Sequence, residues 1–325
     1  MMQPAISRWW IYQQERFPLL KHGPLIAVFS VSAVCYSLLL RERWADPILL
    51  KQAGSIWQMT GFSLLQTIGS ALIAFIVTLL FFLQLRIADE FKDFEDDLRY
   101  RSYRPVPRGL ISLKELGIVA IASAVVQLGL SVAVSPRLLL PLLLVWGYMV
   151  LMSQEFFLSG WLKARPLFYM LSHMVIMPLI ALYATACDWL NVGWSAPPGV
   201  LWYLTVSFFG GLAIEIGRKI RAPKDEERGV VTYSALWGRQ KAVRIWLGIL
   251  WLTTLSAVLA AMYIQFAVQV ILMLLLLLTA SVLVAWQFTL RPVTAWAKRI
   301  ELLSGIWTLL LYLSLGILPL ALRHL

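Results

Sequence analysis

Residues 71–97 read ALIAFIVTLLFFLQLRIADEFKDFEDD. An uncharged apolar run reaches Arg86, and six acids then crowd into Asp89–Asp97. A helix of about 20 mostly apolar residues spans a bilayer, so this stretch reads as a membrane span delivering carboxylates to its polar end. The same grammar extends in both directions. Nine runs suit spanning helices, near 24–42, 61–86, 110–133, 138–157, 167–187, 199–218, 244–264, 267–290 and 301–321. They are rich in Leu, Val and Ile and lack the alternation of a β-barrel strand. The expected fold is all-α: a polytopic membrane bundle around a central cavity, forming one domain over 1–325.

Composition agrees. Apolar residues make up 60% of the 325 residues and charged residues 14%, with a mean hydropathy of +0.76. A soluble chain needs about a quarter of its residues charged to cover its surface, which excludes an ordinary soluble enzyme, a disordered regulator and a disulfide-stapled secreted domain. Cys35 and Cys187 both lie in apolar runs and read as small hydrophobes. The net charge of +11 lies in the loops between apolar segments, as expected of lipid headgroup contacts and not of nucleic acid. Residues 1–22, with Trp9, Trp10, Arg16 and Phe17, read as an interfacial segment entering the first span, with no cleavable signal peptide.

Loop charges orient the bundle. With the N-terminus in the cytoplasm, 23 of the 28 Lys and Arg fall inside, and Arg41, Arg43, Lys51, Arg137 and Arg323 fall outside. Nine spans then place the C-terminus outside. The expected location is the inner membrane of a bacterial cell.

The acids carry the chemistry. Ten of 17 occupy two stretches, Asp89–Asp97 and Glu215–Glu227, each ending a span on the same side. Asp89, Asp93 and Asp97 are spaced i, i+4, i+8, within about 80° of one helical face. Like charges on successive turns oppose one another unless neutralised. Mg²⁺ does so, taking one or two carboxylates and completing its shell with water and substrate phosphate oxygens. The plainer reading is a solvated helix end whose acids pair with Lys92, Arg99 and Arg101. A second acidic cluster on the same side, next to a negative leaflet, favours function.

In these residues the chain resembles the UbiA superfamily of intramembrane prenyltransferases. That family carries Asn-Asp-x-x-Asp-x-x-x-Asp after its second span, then Arg-Pro-x-Pro. Here the frame reads Asp89-Glu90-x-x-Asp93-x-x-x-Asp97, then Arg104-Pro-Val-Pro-Arg-Gly109. The family's second motif ends Asp-x-x-x-Gly-x-x-Thr after the sixth span, matched by Asp225-Glu-Glu-Arg-Gly229-Val-Val-Thr232. The family usually has another Asp four residues before Asp225, where this chain has Arg221. A basic run, Arg218-Lys219-Ile-Arg221, replaces part of that motif.

The resemblance implies Mg²⁺-dependent transfer of an allylic prenyl group from its diphosphate to an acceptor inside the bilayer, with 87–109 and 219–243 as cytoplasmic motif loops. Asp89, Asp93, Asp97 and Asp225 would be catalytic through the metal, with Glu90 and Glu215 as further ligands. Arg218, Lys219 and Arg221, standing where the family has part of its metal site, are read from that departure as direct phosphate contacts, with Arg104 a further candidate, while Lys163 and Arg165 would reach phosphate or simply anchor their loop. Arg228 and Arg239 would do so or serve as positive-inside anchors. Apart from the resemblance, His173, an ionisable residue inside the fifth span, is read as an acceptor contact or a hydrogen-bonded core residue, and Glu155 is a similar candidate. The partners implied are a prenyl diphosphate, an unidentified acceptor and the lipid bilayer. Two alternatives are a transporter and a CDP-alcohol-type phosphotransferase. The second would need an Asp-Gly-x-x-Ala-Arg run, which the sequence lacks.

Overall fold

A computed structural model describes residues 5–44, 64–193, 195–227 and 229–324. Lys51 and Arg228, both weighed above, lie outside the described residues. The described chain is helical, with no strand. In order the helices are α1 (Ala5–Arg16), α2 (Leu19–Arg43), α3 (Leu64–Lys92), α4 (Phe94–Tyr100), α5 (Leu113–Val134), α6 (Leu139–Ser153), α7 (Ser159–Lys163), α8 (Pro166–Met174), α9 (Ile176–Trp189), α10 (Val200–Arg218), α11 (Tyr233–Trp237), α12 (Arg239–Tyr263), α13 (Ala267–Leu290), α14 (Thr294–Leu315) and α15 (Ile317–His324).

Among the described residues, nine helical stretches are long and apolar enough to cross a membrane, in the order expected. The chain is an integral membrane protein. Two spans each join two of these α-helices, α8 with α9 and α14 with α15. Pro178 explains the first break. It has no N–H for the carbonyl of Met174, so the helix interrupts at Val175 and restarts at Ile176. This leaves Tyr169 and His173 on a short segment of their own at one end of the span.

Consecutive spans pack as neighbours and the last returns to the first. α3 lies on α5, α5 on α6, α6 on α9, α9 on α10, α10 on α12, α12 on α13, α13 on α14, and α14 on α2 beside α3. Apolar faces turn outward to lipid, as with Ile118, Ile121 and Val125 of α5 at i, i+3, i+7. Lipid is as apolar as Leu, so contacts between spans come from close packing and polar links. Gln127 of α5 donates to the Val77 carbonyl at 3.1 Å and accepts from Trp146 Nε1 at 3.0 Å, linking three spans.

A second, smaller core sits at one end. There Tyr12 of α1 packs with Ile87, Val106, Ile111 and Leu116, docking the interfacial helix against the loop that follows α4. At the same end α5 opens with a reciprocal cap: Ser112 Oγ accepts from the Glu115 N–H, and Glu115 accepts from the Ser112 N–H at 2.8 Å.

Small residues set the spacing beside the second acidic cluster. A Cβ on Gly217 would collide with Ser304 Oγ and come within 2.9 Å of Ser304 Cβ. That serine accepts from Trp246 Nε1 at 3.0 Å, so α10, α12 and α14 meet at this glycine. Gly217→Ala should therefore destabilise the bundle by about 1–3 kcal/mol through overpacking, read as a lower Tm in detergent. An unchanged Tm would mean the three helices do not meet as described.

Candidate functional site

The first acidic motif is helical, with one interruption. Asp93 N–H donates to Asp89 O and Asp97 N–H to Asp93 O, at 2.9 and 2.8 Å, yet α3 ends at Lys92 and α4 begins at Phe94. The three aspartates differ in their partners. Asp97 is 2% exposed and accepts from Arg101 Nη1 at 3.0 Å and from Arg104 Nη1 at 2.7 and 2.9 Å. It ties down the Arg-Pro-Val-Pro loop. Glu90, equally buried, is paired with Arg16 at the end of α1. Asp89 is half-exposed, with Arg86 at 3.5 Å, and Asp93 makes no ion pair among the described residues. Burial, helped by the Asp89 and Asp97 carboxylates, holds the Asp93 carboxyl above its usual range.

The second motif shows the same division. Glu215 is buried and takes Arg218 at 2.5 Å and Lys219 at 2.7 Å, three and four residues along its own helix. The guanidinium and ammonium ends remain partly exposed. Glu226 closes the loop internally, accepting from Thr232 Oγ1 at 2.6 Å and Ser234 Oγ at 2.8 Å, while Thr232 also caps α11. Asp225 lines a cavity of about 360 Å³ with Arg218 and Arg221, walled on the far side by Thr294, Lys298 and Glu301 of α14.

The two motifs meet. Gly229, at φ +75°, leaves its α-carbon bare against the Tyr100 ring of α4; a Cβ there would lie 2.6 Å from Tyr100 Cγ. Only glycine combines that backbone angle with that approach. The Asp89 carboxylate lies within electrostatic reach of the Arg218 guanidinium and of His173. Tyr233, just past the second motif, is pushed above the usual phenol range by burial and by Glu215, with Tyr169 adding to the effect. Asp89, His173 and Arg218 thus lie toward the same polar end of the bundle. Arg165 is instead stacked 4.6 Å over the Trp161 ring near the surface. Lys163 is largely exposed, 3.8 Å from Glu155.

Sequence reading missed Lys92 as a member of this region. It pairs with none of the acids on its own helix. Its ammonium reaches Glu155 at 3.1 Å, donates to the Tyr169 hydroxyl and lies 3.4 Å from His173 Nε2. His173 Nδ1 sits 2.8 Å from the Tyr169 carbonyl, which can only accept, so Nδ1 carries the proton and Nε2 faces Lys92 as an acceptor. The His173 ring stacks on Tyr169 at 4.0 Å and meets Phe156 edge-on at 5.9 Å.

Glu155 and Phe156 are held there by an unusual backbone. Glu155, Phe156 and Phe157 all have positive φ, at 48°, 54° and 58°. A left-handed conformation costs roughly 1–2 kcal/mol per non-glycine residue. None of the three is Gly or Asn, so no turn signal marks the place in the sequence.

Among the described residues, no three Asp, Glu, His or Cys side chains converge to hold a metal by themselves. Mg²⁺ does not require such a cage. It binds through one or two carboxylates plus phosphate oxygens and water. Asp89 and Asp93, one turn apart and without a short ion pair, fit that requirement for a magnesium–diphosphate complex. The other acids are costlier to recruit, because breaking a buried pair destabilises by about 3–5 kcal/mol. Stability should therefore separate the aspartates. Asp97→Asn should lower the Tm markedly, by the equivalent of roughly 3 kcal/mol, since it weakens the hold on two guanidiniums. Asp93→Asn should leave the Tm unchanged or raise it, because it removes a carboxylate that burial and its neighbours disfavour. The opposite order would reverse these assignments.

The model of the UbiA prenyltransferase family matches residues 99–309, beginning two residues past Asp97. No curated protein matches the sequence. Two solved structures share the fold. One is of a digeranylgeranylglyceryl phosphate synthase, 12% identical with a TM-score of 0.58, covering 97% of this chain and 99% of its own. The other is the apo form of a UbiA homologue from Aeropyrum pernix K1, 14% identical with a TM-score of 0.62, covering 91% and 97%. With the family's sequence pattern over most of its length, a helical fold with nine spans among the described residues and two motifs in contact, this chain belongs to the UbiA prenyltransferase family.

Proposed function

We propose that the protein transfers a prenyl group, with Mg²⁺, from an allylic prenyl diphosphate to an acceptor within the bilayer. The observation that carries this reading is the meeting of the two motifs: Gly229 against Tyr100, with Asp89 within reach of Arg218. Family membership supports it. The loop charges support a cytoplasmic N-terminus and cytoplasmic motif loops in a bacterial inner membrane.

Asp89 and Asp93 would hold the ion. Arg218 and Lys219 would contact the diphosphate directly, and charge-assisted bonds to phosphate are the strong kind. Asp225 and Arg221 would complete the second-motif side. Glu90, Asp97 and Glu215 would act through the cations they fix: Arg16, the Arg101 and Arg104 pair, and Arg218 with Lys219. What Mg²⁺ supplies when bound is neutralisation of the departing diphosphate.

The chain's own residues do the rest. The greasy bundle excludes water from the allylic cation left when the C–O bond ionises. Lys92, fixed by Glu155 and Tyr169, adds a further cation. His173, with its Nδ1 proton fixed, would orient the acceptor.

The test is incubation of purified protein with Mg²⁺ and radiolabelled geranylgeranyl diphosphate, in the presence of a total lipid extract. Pyrophosphate release with label moving into a new lipid is expected. Asp93→Asn should lower release by about 100-fold or more. Arg218→Ala should raise the apparent KM for the diphosphate by about tenfold, the loss of one charge-assisted bond. Absence of release, together with Mg²⁺-independent solute flux in liposomes, would mark a transporter instead.

A further inference from the structure

Between α6 and α8 the chain leaves the bundle and exposes a cluster of large apolar side chains. Phe157, Leu158, Trp161, Leu167 and Phe168 all lie open, Phe157 by 77%. Among the side chains of α7 only Leu162 is buried, and it pins the short helix to the body. Trp161 and Phe168 touch, with ring centroids 5.4 Å apart, so α7 and the first turn of α8 present one apolar face. A patch of this kind marks a contact surface. Because α8 opens the fifth span, the face stands where the bilayer meets water, the depth at which Trp is enriched.

Its exposed charge has one sign. Between Glu115 and Asp188 the only acid in the sequence is Glu155, and that carboxylate is buried against Lys92. The Lys163 side chain is 69% exposed and comes no nearer to Glu155 than 3.8 Å, beyond hydrogen-bond length. Arg165 is exposed beside it. Its guanidinium lies over the Trp161 ring, and Nη1 donates to the Trp161 carbonyl at 3.4 Å. Stacking uses the flat face of a guanidinium and leaves in-plane N–H groups for an oxyanion. An acidic protein would suit the two cations but not an apolar face continuous with a membrane span. An anionic phospholipid suits both.

We infer that residues 157–168 form a docking surface for an anionic phospholipid of the surrounding leaflet, its phosphodiester held by Lys163 and Arg165 and its acyl chains laid on Phe157, Trp161 and Phe168. The surface adjoins the polar cluster described above. The left-handed turn that carries Glu155 to Lys92 runs directly into it, so a lipid seated there steadies the far end of that turn. The inference stands independently of the transfer reaction and would hold equally for a transporter.

The test uses full-length protein in nanodiscs holding a single chain. The discs are phosphatidylcholine doped with phosphatidylglycerol carrying an acyl diazirine, or with phosphatidylcholine carrying the same group. After illumination, lipid adducts on residues 157–168 are counted by mass spectrometry. Adducts from phosphatidylglycerol should exceed those from phosphatidylcholine about tenfold, the preference two basic side chains confer near an anionic headgroup. The Lys163→Gln/Arg165→Gln double variant should bring the two lipids to equal labelling there, with Tm and the labelling of other loops unchanged. Equal labelling in the wild type, a result that needs no variant, overturns the inference. So does an absence of adducts at 157–168 from either lipid, and so does a double variant that folds yet keeps the full preference.

Discussion

An ionised side chain at the end of an apolar bundle must have a counter-charge close by. Removing it from water otherwise costs far more than any single packing contact returns. That constraint organises this end of the molecule. Asp97 holds the loop after α4, Glu90 holds the interfacial helix α1, and Glu215 holds the two cations that end α10. Each pair does mechanical work by fixing a segment that would otherwise be free to move at the membrane surface. The half-exposed Asp89, its neighbour Asp93 and the partly exposed heads of Arg218 and Lys219 are the groups a metal-bound diphosphate could still engage.

The fold delivers these groups by simple means. Pro178 breaks the fifth span so that Tyr169 and His173 sit on their own short helix facing Lys92. Gly217 lets α10 close onto α14 beside Glu215, and Gly229 lets the second motif lie flat on the Tyr100 ring. The three left-handed residues after α6 bring Glu155 back to Lys92 and set Phe156 against His173. Strain of this kind persists where surrounding contacts over-determine it, and it clusters at working sites.

Much of this was legible in the sequence. Hydropathy marks the spans because lipid demands about 20 apolar residues per crossing, and the structure has nine such helices among its described residues. The two acidic islands stood out because charge is rare elsewhere in the chain, and Gly229 was visible through its motif frame. The pairing of the acids was not legible. The i, i+4, i+8 spacing put Asp89, Asp93 and Asp97 on one face, but Asp97 pairs with Arg104, seven residues along and outside the helix. Lys92 looked like a neutraliser of its own helix; its partner Glu155 is 63 residues away, in a turn without glycine or asparagine. Periodicity reports which face a residue occupies. It does not report which distant segment packs against that face.

The central claim is that the two motifs act on one shared ligand. A double-mutant cycle tests it most directly: the affinity of Mg²⁺–pyrophosphate for the wild type, Asp89→Asn, Arg218→Gln and the double variant, measured by calorimetry. Groups that grip the same ligand are coupled, and the cycle should depart from additivity by about 1 kcal/mol or more. Strict additivity, with each substitution acting as though the other motif were absent, would contradict the account.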